Sequence, residues 1–250
     1  MRIVVVGGTG LVGSKLVEQL KQAGHEAVVA ARSTGVDTVT GEGLARALDG
    51  AEVVVDVSNP GYADPAAMLR FFEASGAHLL AAERQARVRH HVIFSAIGSD
   101  RVSSGYFVAK NAQEALVADA GIPFTIVRSA PLFEYVFNIV DAGREEDAVR
   151  LPPVRIQPIA ADDAVAALMR VALGPPENAI VEVAGPDSYL LSTLAEQILT
   201  ADEDYRPVLV DEGASFFGAR LDDASLTAGA GARIAGTGFE DWLRRSLAPA

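Results

Sequence analysis

Ile3, Val4, Val5 and Val6 run directly into Gly7-Gly8-Thr9-Gly10-Leu11-Val12-Gly13. An unbroken β-branched run of this kind suits a strand buried on both faces. Leu11, Leu16, Val17 and Leu20 then recur at helical spacing, and Gly24 marks the end of that helix. A second apolar run, Ala27 to Ala31, follows at once. Strand, glycine turn, helix and strand in this order form the βαβ unit that receives a dinucleotide. Gly7 suits a tight turn at positive φ. A bare backbone at the start of the helix lets a pyrophosphate reach the N–H groups there. Gly13 lets helix and strand pack closely. The spacing is G-x-x-G-x-x-G where G-x-G-x-x-G is more usual, so the flanking strands and helix carry the reading as much as the glycines do.

The end of the second strand bears on which dinucleotide. NAD binders place an acid there for the ribose 2′-hydroxyl. Here the residues are Ala30-Ala31-Arg32-Ser33-Thr34, and the nearest acid, Asp37, lies beyond Gly35. A guanidinium at this place pairs with a 2′-phosphate. NADP is therefore the expected cofactor, with NAD as the alternative.

Composition narrows the partners. The 250 residues are half hydrophobic, with a net charge of −12 and a pI near 4.8. Such a surface disfavours nucleic acid and anionic membrane. Without cysteines there is no disulfide framework and no thiol chemistry. His25, His78, His90 and His91 are not spaced as ligands, and neighbours on a strand point opposite ways, so no metal is expected. No apolar run reaches membrane-spanning length, and with a strand reading from residue 2 no signal peptide is expected. A cytoplasmic protein follows as the expectation. Only Lys15, Lys21 and Lys110 are lysines, so Lys110 stands out in a chain that otherwise uses arginine.

Further along, Val36–Val39 reads as a short third strand and Leu44, Ala45 and Leu48 as a brief helix. Val53–Val57 reads as a buried strand. Asp64-Pro65 opens a long helix marked by Met68, Leu69, Phe72, Leu79 and Leu80. His91–Ser95 and Pro123–Arg128 read as strands, with a helix over Ser104–Ala120 between them. Strands alternating with helices indicate a doubly wound parallel sheet. Prolines then cluster at 152, 153, 158, 175 and 176. Asp162 and Asp163 read as helix-capping acids, Ile180–Val183 as a strand and Ser192 as an N-cap. Phe239–Leu247 reads as a closing helix that buries Trp242. One domain over 1–250 is expected, with a core to about residue 150 and a smaller lobe over 151–250.

Tyr106 and Lys110 lie four apart, on one face of the helix that follows the 91–95 strand. A nearby ammonium lowers a phenol's pKa, which suits tyrosine as a general acid or base toward a carbonyl or alcohol. The lysine can also hold a nicotinamide ribose. A serine at the preceding strand's end can hydrogen-bond a substrate oxygen, and Ser95 and Ser99 both qualify.

Several segments together resemble the atypical short-chain dehydrogenase/reductases of the NmrA-like, NAD(P)-binding group. They are GGTGLVG at 7–13, the Arg32 strand end, DGAEVVVDVSN at 49–59, HVIFSAIGSD at 91–100, YFVAKNAQEAL at 106–116 and GIPFTIVRSAPLFEY at 121–135. IQPIAADDAVAAL and VEVAGPD extend the likeness over most of the chain. The fold this implies is α/β, a Rossmann-type doubly wound parallel sheet with a small C-terminal substrate-covering lobe. The resemblance implies that Gly7, Thr9, Gly10, Leu11, Val12 and Gly13 meet the pyrophosphate, and that Arg32 and Ser33 take the adenosine ribose phosphate. Ser58 would lie by the adenine-side ribose, Ser95 or Ala96 by the nicotinamide, and Lys110 on its ribose. Ser129 to Leu132 would border the nicotinamide. Phe133, Tyr135 and Phe137 would line the substrate pocket. For catalysis it implies Tyr106, Lys110 and a serine, with Ser95, Ser99, Ser103 and Ser104 competing for that place.

The function expected is NAD(P)-dependent hydride transfer to or from a small apolar carbonyl, quinone or aromatic compound. Two alternatives stay open. One is a dinucleotide-binding redox sensor without turnover. The other is a tailoring enzyme of aromatic polyketides or other secondary metabolites with a non-reductive or oxygenating net reaction. The expected partner is a small-molecule substrate, without nucleic acid or membrane; a homodimer is compatible with the sequence.

Overall fold

The computed structural model describes residues 1–61, 64–216 and 219–246. Its centre is a seven-stranded sheet in the order β11-β8-β5-β4-β3-β1-β2, parallel throughout. The strands are β1 (Arg2–Val6), β2 (Glu26–Ala30), β3 (Val53–Asp56), β4 (His90–Ala96), β5 (Phe124–Ser129), β8 (Ala179–Ala184) and β11 (Arg233–Ile234). The chain leaves β1 for β2 on one side and returns to β3 on the other, so the strand order reverses at β1. In open α/β sheets that reversal opens a crevice at the carboxyl ends of the strands.

Alternation along β1 divides its side chains between two layers. Ile3 and Val5 pack with α1 (Leu11–Gln22) and α6 (Ala161–Leu173). Val4 and Val6 pack on the opposite face with α2 (Leu44–Ala47) and with Leu79 of α3 (Pro65–Ala86). Leu80 of α3 and Val117 of α4 (Gly105–Ala118) cover Ile93 and Ile126. Asp64 caps α3 by accepting from the Ala66 N–H at 3.0 Å, with Pro65 beginning the helix as its sequence suggests.

A second apolar cluster gathers α5 (Phe133–Ala142), α7 (Leu191–Ala201) and α8 (Phe239–Ser246). It includes the small pairs β6 (Val149–Leu151) with β10 (Val208–Val210) and β7 (Arg155–Ile156) with β9 (Tyr189–Leu190). The expected division near residue 150 is crossed by the chain, because α6, β8 and β11 return to the central sheet. The buried residues of α6 and Val181, Val183 and Ala184 of β8 face the same core as α1, while Ile234 of β11 stays exposed at the sheet edge.

Four local expectations change. Val36–Val39 forms no strand; a short 3₁₀ turn over 32–34 and a single Asp37–Glu42 bridge occupy that stretch, because Gly35, Gly41 and Gly43 turn the chain repeatedly at positive φ. Asp162 and Asp163 sit inside the first turn of α6; Asp162 binds Lys15 at 2.7 Å and Asp163 accepts from the Thr237 N–H. Glu134 accepts from the Ala161 N–H, so α6 takes its capping acid from a distant helix. Ser192 lies within α7, whose N-cap is Leu190. Trp242 is half-buried, packed on Phe133, Phe137 and Phe239; Leu247, the expected helix end, lies outside the described residues.

Phe239 is fully buried and anchors α8 through its ring contacts with Phe133 and Trp242. Phe239→Ala is expected to cost about 3–5 kcal/mol, read as a lower midpoint in urea unfolding.

Candidate functional site

A cleft of about 740 Å³ opens along the carboxyl ends of β1 to β5. The turn after β1 forms one wall. Gly7 sits at φ +76°, and a Cβ there would stand 2.9 Å from the Ser58 backbone. A Cβ on Gly13 would stand 2.2 Å from the Gly7 carbonyl oxygen, so only glycine lets α1 seat on the turn. Gly10 differs: a Cβ there would meet no protein atom closer than 3.4 Å, and the residue lines the cleft. The Gly10 N-cap offers α1 no side-chain cap, and the first turn carries no acid. The helix's leading N–H groups and its positive dipole end are left to an anion.

Thr9, Leu11 and Val12 share this wall, and Arg32 and Ser33 continue it beyond β2. The Arg32 side chain is 73% exposed and donates from Nε to Asp37 Oδ2 at 3.1 Å. Its two Nη groups have no protein partner among the described residues. Asp37 also lines the cleft. Arg46, which the sequence reading passed over, brings its guanidinium to within 3.2 Å of where a Gly35 Cβ would stand. Two arginines thus flank one turn. Ser58 lines the cleft after β3, and its buried Oγ has no protein partner among the described residues.

The opposite end is apolar. Phe71, Phe94, Ile97, Phe107, Leu132, Ile139, Phe216 and Leu226 line it, with Tyr106, Tyr135, Ala96 and Ser129. Of the three expected pocket residues, Tyr135 alone reaches this wall. Phe133 is buried against Phe239 and Trp242, and Phe137 packs on Trp242. Both therefore belong to the second core: one face of α5 points into it, and positions 133 and 137, one helical turn apart, share that face.

Lys110 is 1% exposed at the floor of the cleft. Its Nζ lies 4.5 Å from the Phe72 ring centre and donates to Gln113 Oε1 at 2.6 Å. Gln113 Nε2 donates to Asp56 Oδ2 at 3.0 Å, and Asp56 Oδ1 accepts from the Ser58 N–H at 2.9 Å. Burial pushes the Lys110 ammonium down to about 8 against the opposing pull of Asp56 and Glu114. Tyr106 stands one helical turn before it, half-buried in the cleft wall.

The serines behave differently from expectation. Ser95 and Ser99 both donate their hydroxyl protons to Oε1 of buried Glu114, Ser99 at 2.7 Å. Arg128 donates to the same carboxylate, at 2.6 Å from Nη2 and 3.0 Å from Nε, and reaches Asp100 at 2.8 Å. Ser95 lines the cleft, but its proton is committed behind it. Ser103 and Ser104 do not line the cleft. Glu114 and Gln113 escaped the sequence reading; the one available signal was the i+4 step from Lys110 to Glu114 along a single face.

Elsewhere, His91 is buried with Nδ1 2.8 Å from Glu83, whose charge overrides burial and raises its titration; His90 pairs with Thr125, and burial lowers it to about 4. Among the described residues no His, Asp and Glu side chains gather as a metal centre, and no helix is long and apolar enough to cross a membrane.

The profile of a family described as NAD(P)H-binding matches residues 7–135. Over 162 residues the chain is 30% identical to a (4-alkanoyl-5-oxo-2,5-dihydrofuran-3-yl)methyl phosphate reductase of Streptomyces griseus, covering 59% of this chain and 54% of that protein. Over 161 residues it is 28% identical to the photosystem II assembly factor Ycf39 of Synechocystis, covering 56% and 49%. The chain spans about half the length of these curated relatives. Among solved structures it superposes on MoeE5 in complex with UDP-glucose and NAD with a TM-score of 0.75 at 19% identity, covering 99% of this chain and 100% of that one. A triphenylmethane reductase of Citrobacter sp. complexed with NADP(H) gives 0.65 at 21%, covering 84% and 79%. An NADPH-dependent quinone oxidoreductase of Escherichia coli gives 0.64 at 19%, covering 84% and 78%. At these identities the likeness is one of fold.

Glu114→Leu would leave the buried Arg128 with Asp100 alone. The expected cost is about 3 kcal/mol or more, read as a fall in the thermal unfolding midpoint. Unchanged stability would mean that the carboxylate contributes little to holding β4, α4 and β5 together.

Proposed function

This chain belongs to the NAD(P)H-binding family, and on that premise we propose that it is an oxidoreductase acting on a small apolar carbonyl, quinone or aromatic compound. NADPH is the preferred cofactor in this reading. The observation that carries it is Lys110, sealed at the floor of the cleft one helical turn below Tyr106, with an aromatic chamber beside both.

The residues present fit a dinucleotide. Gly7, Gly10, Gly13 and the start of α1 would receive the pyrophosphate. Arg32 and Ser33, with Arg46 nearby, would take a 2′-phosphate. Ser58 Oγ, buried and without a partner among the described residues, would meet the adenine-side ribose. Ala96 and Ser129 would border the nicotinamide. When bound, the reduced dinucleotide supplies a hydride.

Tyr106 would give its phenolic proton to the substrate oxygen as negative charge develops there. The Lys110 ammonium favours the phenolate left behind and would also donate to the nicotinamide ribose. Ser95 plays no donor role here, because its proton is held by Glu114; it presents lone pairs to the cleft and would accept from an amide or hydroxyl. Among the described residues the chamber wall carries no arginine, which favours a neutral substrate over a phosphorylated one. Residues 216 and 226 complete its ceiling, which is the covering role this reading gives to the later part of the chain.

One observation favours a second reading, a dinucleotide-binding regulator without turnover: both candidate serine donors, Ser95 and Ser99, are spent on Glu114.

Fluorescence titration should give tighter binding of NADPH than NADH, and Arg32→Ala should remove most of that difference, about tenfold or more. Equal binding of the two by the native protein would end the NADP preference. In a quinone and carbonyl panel, Tyr106→Phe is expected to lower turnover by about 10²-fold with cofactor binding intact. Ser95→Ala is expected to cost less than about tenfold, since no donor is lost. Full activity of Tyr106→Phe would remove the phenol from the reaction. NADPH binding without any turnover would favour the regulator.

A further inference from the structure

Among the described residues, no carboxylate is in direct contact with the Lys110 ammonium. Its nitrogen meets an amide oxygen and an aromatic face, both inside the protein. The orientation of that amide follows from chemistry. An ammonium only donates and a carboxylate only accepts, so Gln113 must turn Oε1 to Lys110 and Nε2 to Asp56. The second oxygen of Asp56 takes the Ser58 N–H. One buried carboxylate at the end of β3 therefore fixes two parts of the cleft together. Through its own loop it holds the wall at Ser58 and Asn59, and through Gln113 it holds the cation on α4.

We propose that Asp56 and Gln113 are positioning residues, which set the place and the charge of the Lys110 ammonium and register it against the Ser58 loop. The proposal rests on the reading that Lys110 serves the bound dinucleotide. It explains why a neutral amide stands where a second carboxylate would bind the ammonium more strongly. A carboxylate in direct contact would compete with a ribose for the ammonium's protons. The relay supplies the negative charge from one residue further away and leaves donors for a ligand.

The groups acting on Lys110 come from each element packed against it. Asp56 of β3 and Glu114 of α4 favour the charged form, burial opposes it, and α3 presents the Phe72 ring. Asp56 also helps to raise the titration of His91, which is paired with Glu83. Removing the charge of Asp56, or the amide between them, makes the ammonium easier to deprotonate. The midpoint of Lys110 then falls.

Three lysines make this measurable without turnover. Protein labelled with ¹³C-lysine, free of dinucleotide, gives three side-chain signals, with Lys110 assigned by Lys110→Met. In the native protein the Lys110 signal should titrate near 8, as burial dictates. In Gln113→Met and in Asp56→Asn its midpoint should fall by about half a unit or more. The Lys15 signal, paired with Asp162, should stay where it is and report an intact α1–α6 contact. Both variants should weaken NADPH binding by about tenfold. In turnover, the loss of activity on the alkaline side should move to lower pH together with the Lys110 midpoint. A merely structural role would lower the unfolding temperature and leave both midpoints unmoved; that result would overturn the proposal. Should Asp56→Asn fail to fold, Gln113→Met decides alone. If the native protein binds NADPH but turns nothing over, the oxidoreductase reading falls while the lysine titration still tests the relay.

Discussion

The contact between the Gly7 carbonyl and the bare Cα of Gly13 governs the rest of the molecule. It lets α1 stand directly on the end of β1, so the helix's positive end faces the crevice that the reversed strand order has opened. Any side chain at position 13 would force helix and turn apart, since its Cβ would stand 2.2 Å from a backbone carbonyl oxygen that cannot rotate away. With α1 in place, α6 packs beside it and β8 can join the sheet beyond β5. The cleft exists because two glycines allow one close approach.

Beneath that cleft the protein keeps an unusual amount of charge out of water. Glu114 and Arg128 form one buried centre, and Asp56, Gln113 and Lys110 form another, both reached from α4. Such groups are tolerated only when their hydrogen-bonding capacity is met. Glu114 meets this by gathering Ser95, Ser99 and Arg128 on two oxygens. Lys110 meets it less fully. Its titration in the folded chain lies below the ordinary lysine value, so its burial costs stability at neutral pH, and that cost is relieved as pH rises from about 8 toward the unfolded value. A core of aliphatic side chains would be more stable, and the lysine stays at a cost that points to a task.

Much of this was legible in the sequence, and the reasons are local. The β1 run, the glycine turn and the amphipathic α1 announce themselves because each signal lies within a few residues of the next. The i+4 step from Tyr106 to Lys110 is a property of one helix, so it too could be read. What escaped depends on contacts between distant elements. Glu114 looks like a surface acid of an amphipathic helix until β5 brings Arg128 beneath it. Gln113 is unremarkable until β3 places Asp56 opposite. Phe133 and Phe137 looked like pocket residues because aromatics near a site usually are; only the arrival of α8 shows which face of α5 is core. Asp162 and Asp163 misled for the same reason, since the true capping acid of α6 stands on another helix.

The walls of the cleft are drawn very unevenly from the chain. The wall at the glycine turn is drawn from residues 6 to 60, whereas Phe216 and Leu226 close the aromatic chamber from near the opposite end. During synthesis, the glycine-turn wall leaves the ribosome more than 150 residues ahead of the ceiling, a gap read directly from the numbering of Pro60 and Phe216. The glycine-turn wall is made first, and the aromatic ceiling is made last.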